Sequence, residues 1–305
     1  MKEFSFPVRK HTSIHCCQWV PEGTPRAVIQ IVHGIAEYGA RYDGLAKVFT
    51  DQGFVVVAED HMGHGGSISE EIPQGCFADG WLTAVSDTYR LMQMTKEEFP
   101  DLPYFIYGHS MGSFMTITLL YTYPEAGLAG AVISGTGWMP KLVLKTGRMV
   151  CGMEGKRRGM NNTSPTINKL MFGSYNKGYD HPRTPVDWLS RDEAEVDKYI
   201  ADPLCGFDAS IGLANEMLGG MLMNQDKANL EKMPKSLPVL FVSGDMDPVG
   251  SNGKGVRQAY EAFKKAGMQD VSLKLYPGGR HEMHNETNRE ELYADVLAFL
   301  NRVLG

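Results

Sequence analysis

Several kinds of residue and run are scarce or missing from this chain, and each absence removes a class of function. Only five cysteines occur in 305 residues, and Cys16, Cys17, Cys76, Cys151 and Cys205 form no C-x-x-C pair, which removes a zinc ribbon or a dithiol redox motif. Their odd number and scattered placement predict free thiols in a reducing, cytoplasmic setting. Positive charge is not in excess: the formal net charge of −6 argues against a nucleic-acid partner. No apolar run approaches the ~18 residues of a membrane span, and the first ten residues lack the apolar core of a signal peptide. Internal repeats and low-complexity tracts are also missing.

What remains is an ordinary globular composition, 43% apolar and 22% charged, with a strong alternation of patterns. Short β-branched and aromatic runs recur at Phe4–Val8, Ile14–Val20, Ala27–Val32, Phe54–Ala58, Tyr104–Tyr107, Gly130–Ser134, Pro238–Val242 and Val271–Leu275. The first two predict an antiparallel pair, and the middle runs are continuously apolar, as in parallel strands buried on both faces. Helical stripes fall between them at Arg41–Gln52, Trp81–Phe99, Ser110–Tyr121, Asn252–Ala266 and Glu290–Leu304. This alternation predicts an α/β sheet flanked by helices on both faces. It stops between Gly137 and Phe207, a stretch too long for a plain loop. There Ser190-Arg191-Asp192-Glu193 reads as a capping box that opens a helix running to about Ile200. The expected organisation is a core of residues 1–136 and 208–305 interrupted by a helical cap at 137–207.

The chemistry is concentrated at strand ends. Tyr104-Phe-Ile-Tyr runs directly into Gly108-His109-Ser110-Met111-Gly112 and then a helix. A G-x-S-x-G turn between strand and helix is the nucleophile elbow of α/β-hydrolases: small flanking residues let the backbone close tightly around an exposed serine, and the helix N-terminus behind it contributes unpaired N–H groups. A serine hydroxyl needs a base, and the base needs an acid that holds its tautomer. In this fold they follow in the order Ser, acid, His. Val242-Ser-Gly-Asp245-Met-Asp247-Pro248 follows one strand run, and Tyr276-Pro-Gly-Gly-Arg-His281 follows the last. The G-x-x-D-P pattern favours Asp247 over Asp245, a rival that suits a turn or cap. The Pro-Gly-Gly turn favours His281 over His284.

Acyl transfer through a tetrahedral intermediate needs two N–H donors for the oxyanion, one from the residue after the nucleophile and one from the loop after the third strand. Those are Met111 and Ile35. Around them His33, Gly34 and Glu37, with His109 beside the serine, are expected to shape the loop and the substrate site. His61 and His64 in Asp60–Ser67 have no acidic or Cys cluster nearby to complete a ligand set, so neither a metal nor a cofactor is expected.

Five motifs in order resemble the monoacylglycerol lipase and lysophospholipase branch of the α/β-hydrolases, also described as serine-aminopeptidase-like. They are His33–Tyr42 (H-G-x-x-E-x-x-x-R-Y), Asp60–Ser67 (D-x-x-G-H-G-x-S), Gly108–Gly112, Gly244–Pro248 and His281–Glu286 (H-E-x-x-x-E). The chain departs from that pattern at Tyr38, where a His is common, and at Ala36 and Ser113, where Gly is. The resemblance implies an eight-stranded, mostly parallel sheet and hydrolysis of a single-chain lipid ester through an acyl-enzyme. Small-ester or feruloyl-type esterase activity, amide or peptide cleavage, and a non-catalytic binding protein on the same scaffold are the alternatives.

Within the cap, Gly137–Tyr179 carries eight Lys or Arg against one acid, Glu154, in a chain that is net negative. It also holds Met139, Leu142, Val143, Met149, Met153 and Met171. Flexible Met-rich surface suits variable acyl chains, and a basic apolar cap suits transient contact with an anionic lipid surface. The expected partner is otherwise a small lipid or ester.

Overall fold

The computed structural model describes residues 1–9 and 12–305. Eight strands form one sheet in the order β1-β2-β4-β3-β5-β6-β7-β8. The opening pair, β1 (Lys2–Arg9) and β2 (Thr12–Trp19), is antiparallel, and β2 joins β4 (Phe54–Glu59) antiparallel. The rest is parallel: β3 (Ala27–Val32), β4, β5 (Tyr104–His109), β6 (Gly130–Ser134), β7 (Val239–Gly244) and β8 (Val271–Tyr276). The strands from β3 to β7 are buried along their whole length, which explains their largely apolar sequences; among the buried exceptions, Gln30 and Glu59 hydrogen-bond each other at 3.1 Å.

Each face of the sheet carries its own core. On one, α2 (Trp81–Glu98), α3 (Met111–Thr122) and α9 (Lys254–Lys265) bury Val85, Leu91, Phe114, Met115, Val256 and Phe263. On the other, α1 (Asp43–Thr50) and α10 (Arg289–Leu304) bury Leu45, Phe49, Leu292, Val296 and Phe299. The fold is therefore the expected α/β-hydrolase arrangement.

Between β6 and β7 the chain leaves the sheet and forms α4 (Lys141–Arg158), α5 (Pro165–Phe172), α6 (Glu193–Ala201), α7 (Ile211–Met223) and α8 (Lys227–Leu230). α4 packs against α7, which in turn rests on α2 and α3 and ties these helices to the core. The expected start of α6 needs correction. Its N-cap is Asp192, whose carboxylate accepts from the Ala194 N–H at 3.1 Å. Ser190 instead accepts from the Asp192 N–H and donates to the Asn285 carbonyl, so its hydroxyl joins two segments rather than capping a helix. Among the described residues no helix is long and apolar enough to cross a membrane.

Candidate active site

β5 ends at His109 and α3 begins at Met111, which leaves Ser110 alone on the turn with φ 54° and ψ −121°. That strained conformation projects the side chain out of the turn, and the flanking glycines make it possible. A Cβ on Gly112 would lie 2.0 Å from the Val32 carbonyl oxygen, and one on Gly108 would lie 2.2 Å from Thr116 Oγ1. Ser110 Oγ is 2.9 Å from His281 Nε2, and His281 Nδ1 is 3.0 Å from Asp247 Oδ2. Asp247 is fully buried and also accepts from Val249 N–H and Ser243 Oγ, which fixes its carboxylate toward the ring. Burial works against a charged His281, but the Asp247 carboxylate outweighs it and holds the imidazole above its ordinary pKa.

The rivals lie elsewhere. Asp245 accepts from the Gly278 N–H at 2.7 Å, joining the loops after β7 and β8. His284 stacks on Tyr42 at 4.6 Å and is kept neutral by burial, its pKa lowered to about 4. His109 sits behind His281, ring centroids 4.7 Å apart, with Nδ1 3.3 Å from Ser134 Oγ and its pKa lowered by burial. His33 donates from Nδ1 to the Gly34 carbonyl and accepts the His61 N–H at Nε2. His61 in turn reaches the His33 carbonyl, and His64 the Met62 carbonyl. These three rings are bracing for the loops after β3 and β4.

The loop after β3 lies against the serine: a Cβ on Gly34 would be 3.0 Å from Ser110 Cβ. The Met111 N–H belongs to the first turn of α3, whose donors have no partner within the helix, and the Ile35 N–H has no hydrogen-bond partner among the described residues. Glu37 holds the loop in shape, accepting from the Gly34 N–H at 2.6 Å and the Tyr42 hydroxyl at 2.9 Å.

Two residues with no role expected from sequence complete this brace. Arg41 donates to Glu37 at 2.6 Å and to both oxygens of Glu282 at 3.0 Å, and Glu282 is the neighbour of His281. Burial works against charge on Glu282, but the bidentate guanidinium holds its carboxyl below the usual carboxylate range; Glu37, sharing the same cation, is pushed up by burial. A single buried guanidinium thus links the loop under Ile35 to the loop bearing His281. Their signal was present in the R-Y and H-E of the two motifs, which lie 241 positions apart. The cap joins in as well: Tyr199 hydroxyl and Gly206 N–H both donate to the Ala36 carbonyl, and His281 N–H donates to Trp188.

Two cavities meet at Ser110. One, of about 440 Å³, is apolar and runs under the cap between Phe114, Leu142, Val143, Met171, Met217 and Leu218. The other, of about 280 Å³, is lined by Glu37, Asn168, Asp208, His281 and Glu282 as well as by apolar groups. Ile35, Ser110, Phe172 and Trp188 border both.

Residues 23–288 match the model of the serine aminopeptidase S33 family of hydrolases. The chain belongs to this family. It is 29% identical over 276 residues to the monoglyceride lipase of Mus musculus, spanning 90% of this chain and 81% of that one. It is 30% identical over 287 residues to the monoacylglycerol lipase of Mycolicibacterium smegmatis, spanning 92% and 90%. A highly thermostable carboxyl esterase from Bacillus coagulans, solved with glycerol, superposes with a TM-score of 0.91 at 31% identity, covering 100% of this chain and 99% of that one. This member of the family is a carboxylic ester hydrolase.

Proposed function

We propose that this hydrolase cleaves monoacylglycerols, or glycerol esters of similar shape, through an acyl-enzyme on Ser110. The observation that carries the reading is the pair of unlike cavities meeting at that serine. The apolar one, under flexible Met and Leu side chains, suits a single acyl chain. The smaller one offers Asn168, whose amide nitrogen and oxygen are buried without a hydrogen-bond partner among the described residues. An alcohol with free hydroxyls would satisfy them.

In this mechanism His281 takes the Ser110 proton as the hydroxyl attacks the ester carbonyl, and Asp247 stabilises the imidazolium. The Ile35 and Met111 N–H groups hold the oxyanion. The proton then passes to the departing alkoxide; in the second half His281 takes a proton from water as it attacks the acyl-enzyme, and returns it to Ser110 Oγ as the acyl–oxygen bond breaks and the fatty acid leaves. Residues 137–207 act as the cap that closes the acyl cavity. Exposed Leu142, Met149 and Met153 stand on α4 beside Lys141, Lys145 and Arg148, a face suited to transient contact with anionic lipid. The five free, buried cysteines fit a reducing cytoplasm.

A fluorophosphonate probe should label the wild type and leave Ser110→Ala unlabelled. Turnover should rise from acetyl to long-chain monoacylglycerol and be weaker on lysophosphatidylcholine, whose anionic phosphate, next to the glycerol, would be brought into the cavity lined by the carboxylates of Glu37, Asp208 and Glu282. Equal labelling of both proteins would overturn the nucleophile. Rates falling steadily with chain length would favour a small-ester esterase, and preference for lysophosphatidylcholine would overturn the alcohol site.

A further inference from the structure

On the outer edge of the sheet, away from Ser110, strand geometry collects three metal-ligating side chains. Glu3 on β1 pairs directly with Cys17 on β2, so their side chains share a face. His15 lies two residues before Cys17 and therefore on that same face. The carboxylate oxygen, the imidazole nitrogen and the thiol sulfur all lie within 4.8 Å of one another. Bond lengths of about 2.0–2.3 Å set the ligands of a tetrahedral zinc ion roughly 3.3–3.8 Å apart. The cluster would have to close by about 1.5 Å at most, and Glu3 is its exposed member.

The imidazole is already oriented for such a role. Its Nδ1 is 2.9 Å from Asp60 Oδ2, and its Nε2 faces Glu3 at 3.9 Å. A carboxylate on one ring nitrogen fixes the tautomer that leaves the other nitrogen free to ligate, as the outer partners of zinc-binding histidines do. The ring is also held from behind: a Cβ on Gly66 would come 2.6 Å from His15 Cγ. Asp60 is itself anchored by the Gly39 and Gly66 N–H groups.

We propose that Glu3, His15 and Cys17 bind one zinc-like divalent cation, with water as the fourth ligand. Thiolate and imidazole together select a borderline-soft metal over magnesium or calcium. Burial holds the Cys17 thiol protonated, with its pKa up at about 12, so forming the metal–sulfur bond releases that proton to solvent. The bound ion ties β1 to β2 and, through Asp60, to the loop after β4. It serves stability, at a distance from the ester chemistry.

Cobalt(II) titration of the full-length, reduced protein tests this. One equivalent should give a sulfur-to-cobalt charge-transfer band and the ligand-field bands of a tetrahedral site, displaced by zinc. Glu3→Gln, a surface change, should weaken binding at least tenfold and leave ester hydrolysis unchanged; Cys17→Ser should abolish the charge-transfer band. Zinc should raise the melting temperature of the wild type and not of Glu3→Gln. Absence of the band in the wild type, or an undiminished band in Cys17→Ser, overturns the site. So does equal cobalt affinity in Glu3→Gln and wild type.

Discussion

Replacing Arg41 by Met keeps much of the side chain's length and removes its charge. Glu37 and Glu282 then face each other, buried, without the guanidinium that bridges them at 2.6 and 3.0 Å. Removing one member of a buried ion pair costs about 3–5 kcal/mol, because the remaining charge is left uncompensated. That is a large part of the ~5–15 kcal/mol by which a typical domain is stable. At roughly 2 °C per kcal/mol for a large domain, the melting temperature should fall by about 6–10 °C. Activity should fall further than stability explains. The lost bridge joins the loop carrying Ile35 to the loop carrying His281, and a displacement of about 1 Å can cost 10²-fold in rate. On a soluble short-chain ester, assayed below both melting temperatures, kcat should drop about 10–100-fold with KM little changed. Arg41→Lys, which retains charge without the fork, should fall between. Without the cation, burial raises both carboxylates above their unfolded pKa values. The folded variant then binds more protons than the unfolded chain, so its deficit against wild type should shrink as pH falls from 8 to about 5. A melting temperature within about 2 °C of wild type, together with unchanged kcat, would refute the brace.

The acid limb of kcat/KM on a neutral ester should lie above the ordinary imidazole pKa, since His281 must be neutral to act as base and Asp247 raises it against the effect of burial. Asp247→Asn should move that limb to lower pH and reduce kcat by about 10⁴; an unmoved limb would count against the pairing. Met217→Trp should fill part of the apolar cavity and lower the rate on long-chain esters at least tenfold while sparing butyrate, a selectivity read from competing chain lengths. Gly112→Ala would place its Cβ 2.0 Å from the Val32 oxygen and 2.5 Å from the His33 oxygen. Backbone cannot yield as a side chain does, so the loss should exceed the ~1–3 kcal/mol of ordinary overpacking; a melting curve like wild type would show that the elbow has slack.

The parts of this molecule legible in the sequence are those governed by local rules. Parallel strands buried on two faces must be mostly apolar, so β3 to β7 announce themselves. The turns after β5, β7 and β8 carry Gly, Pro and Asp residues that mark where Ser110, Asp247 and His281 are brought together. Two features escaped for a common reason. Ser190 fitted the capping pattern, yet Asp192 caps α6: the Ser190 hydroxyl accepts from the Asp192 N–H before the helix begins and donates to the Asn285 carbonyl, 95 positions away. Arg41 read as part of a helical stripe, and nothing local shows that its guanidinium reaches Glu282. Side-chain partners distant in sequence are set by how elements dock, and a one-dimensional pattern carries no record of docking. The same limit governs the substrate. Leu142 and Leu144 both lie on α4, yet Leu142 is 76% exposed at the cavity rim while Leu144 is fully buried. Apolar composition foretold a greasy cap, but the packing of α4 on α7 decides which of its side chains meet an acyl chain. Selectivity should therefore respond to substitutions along that helix contact before it responds to changes at the serine itself.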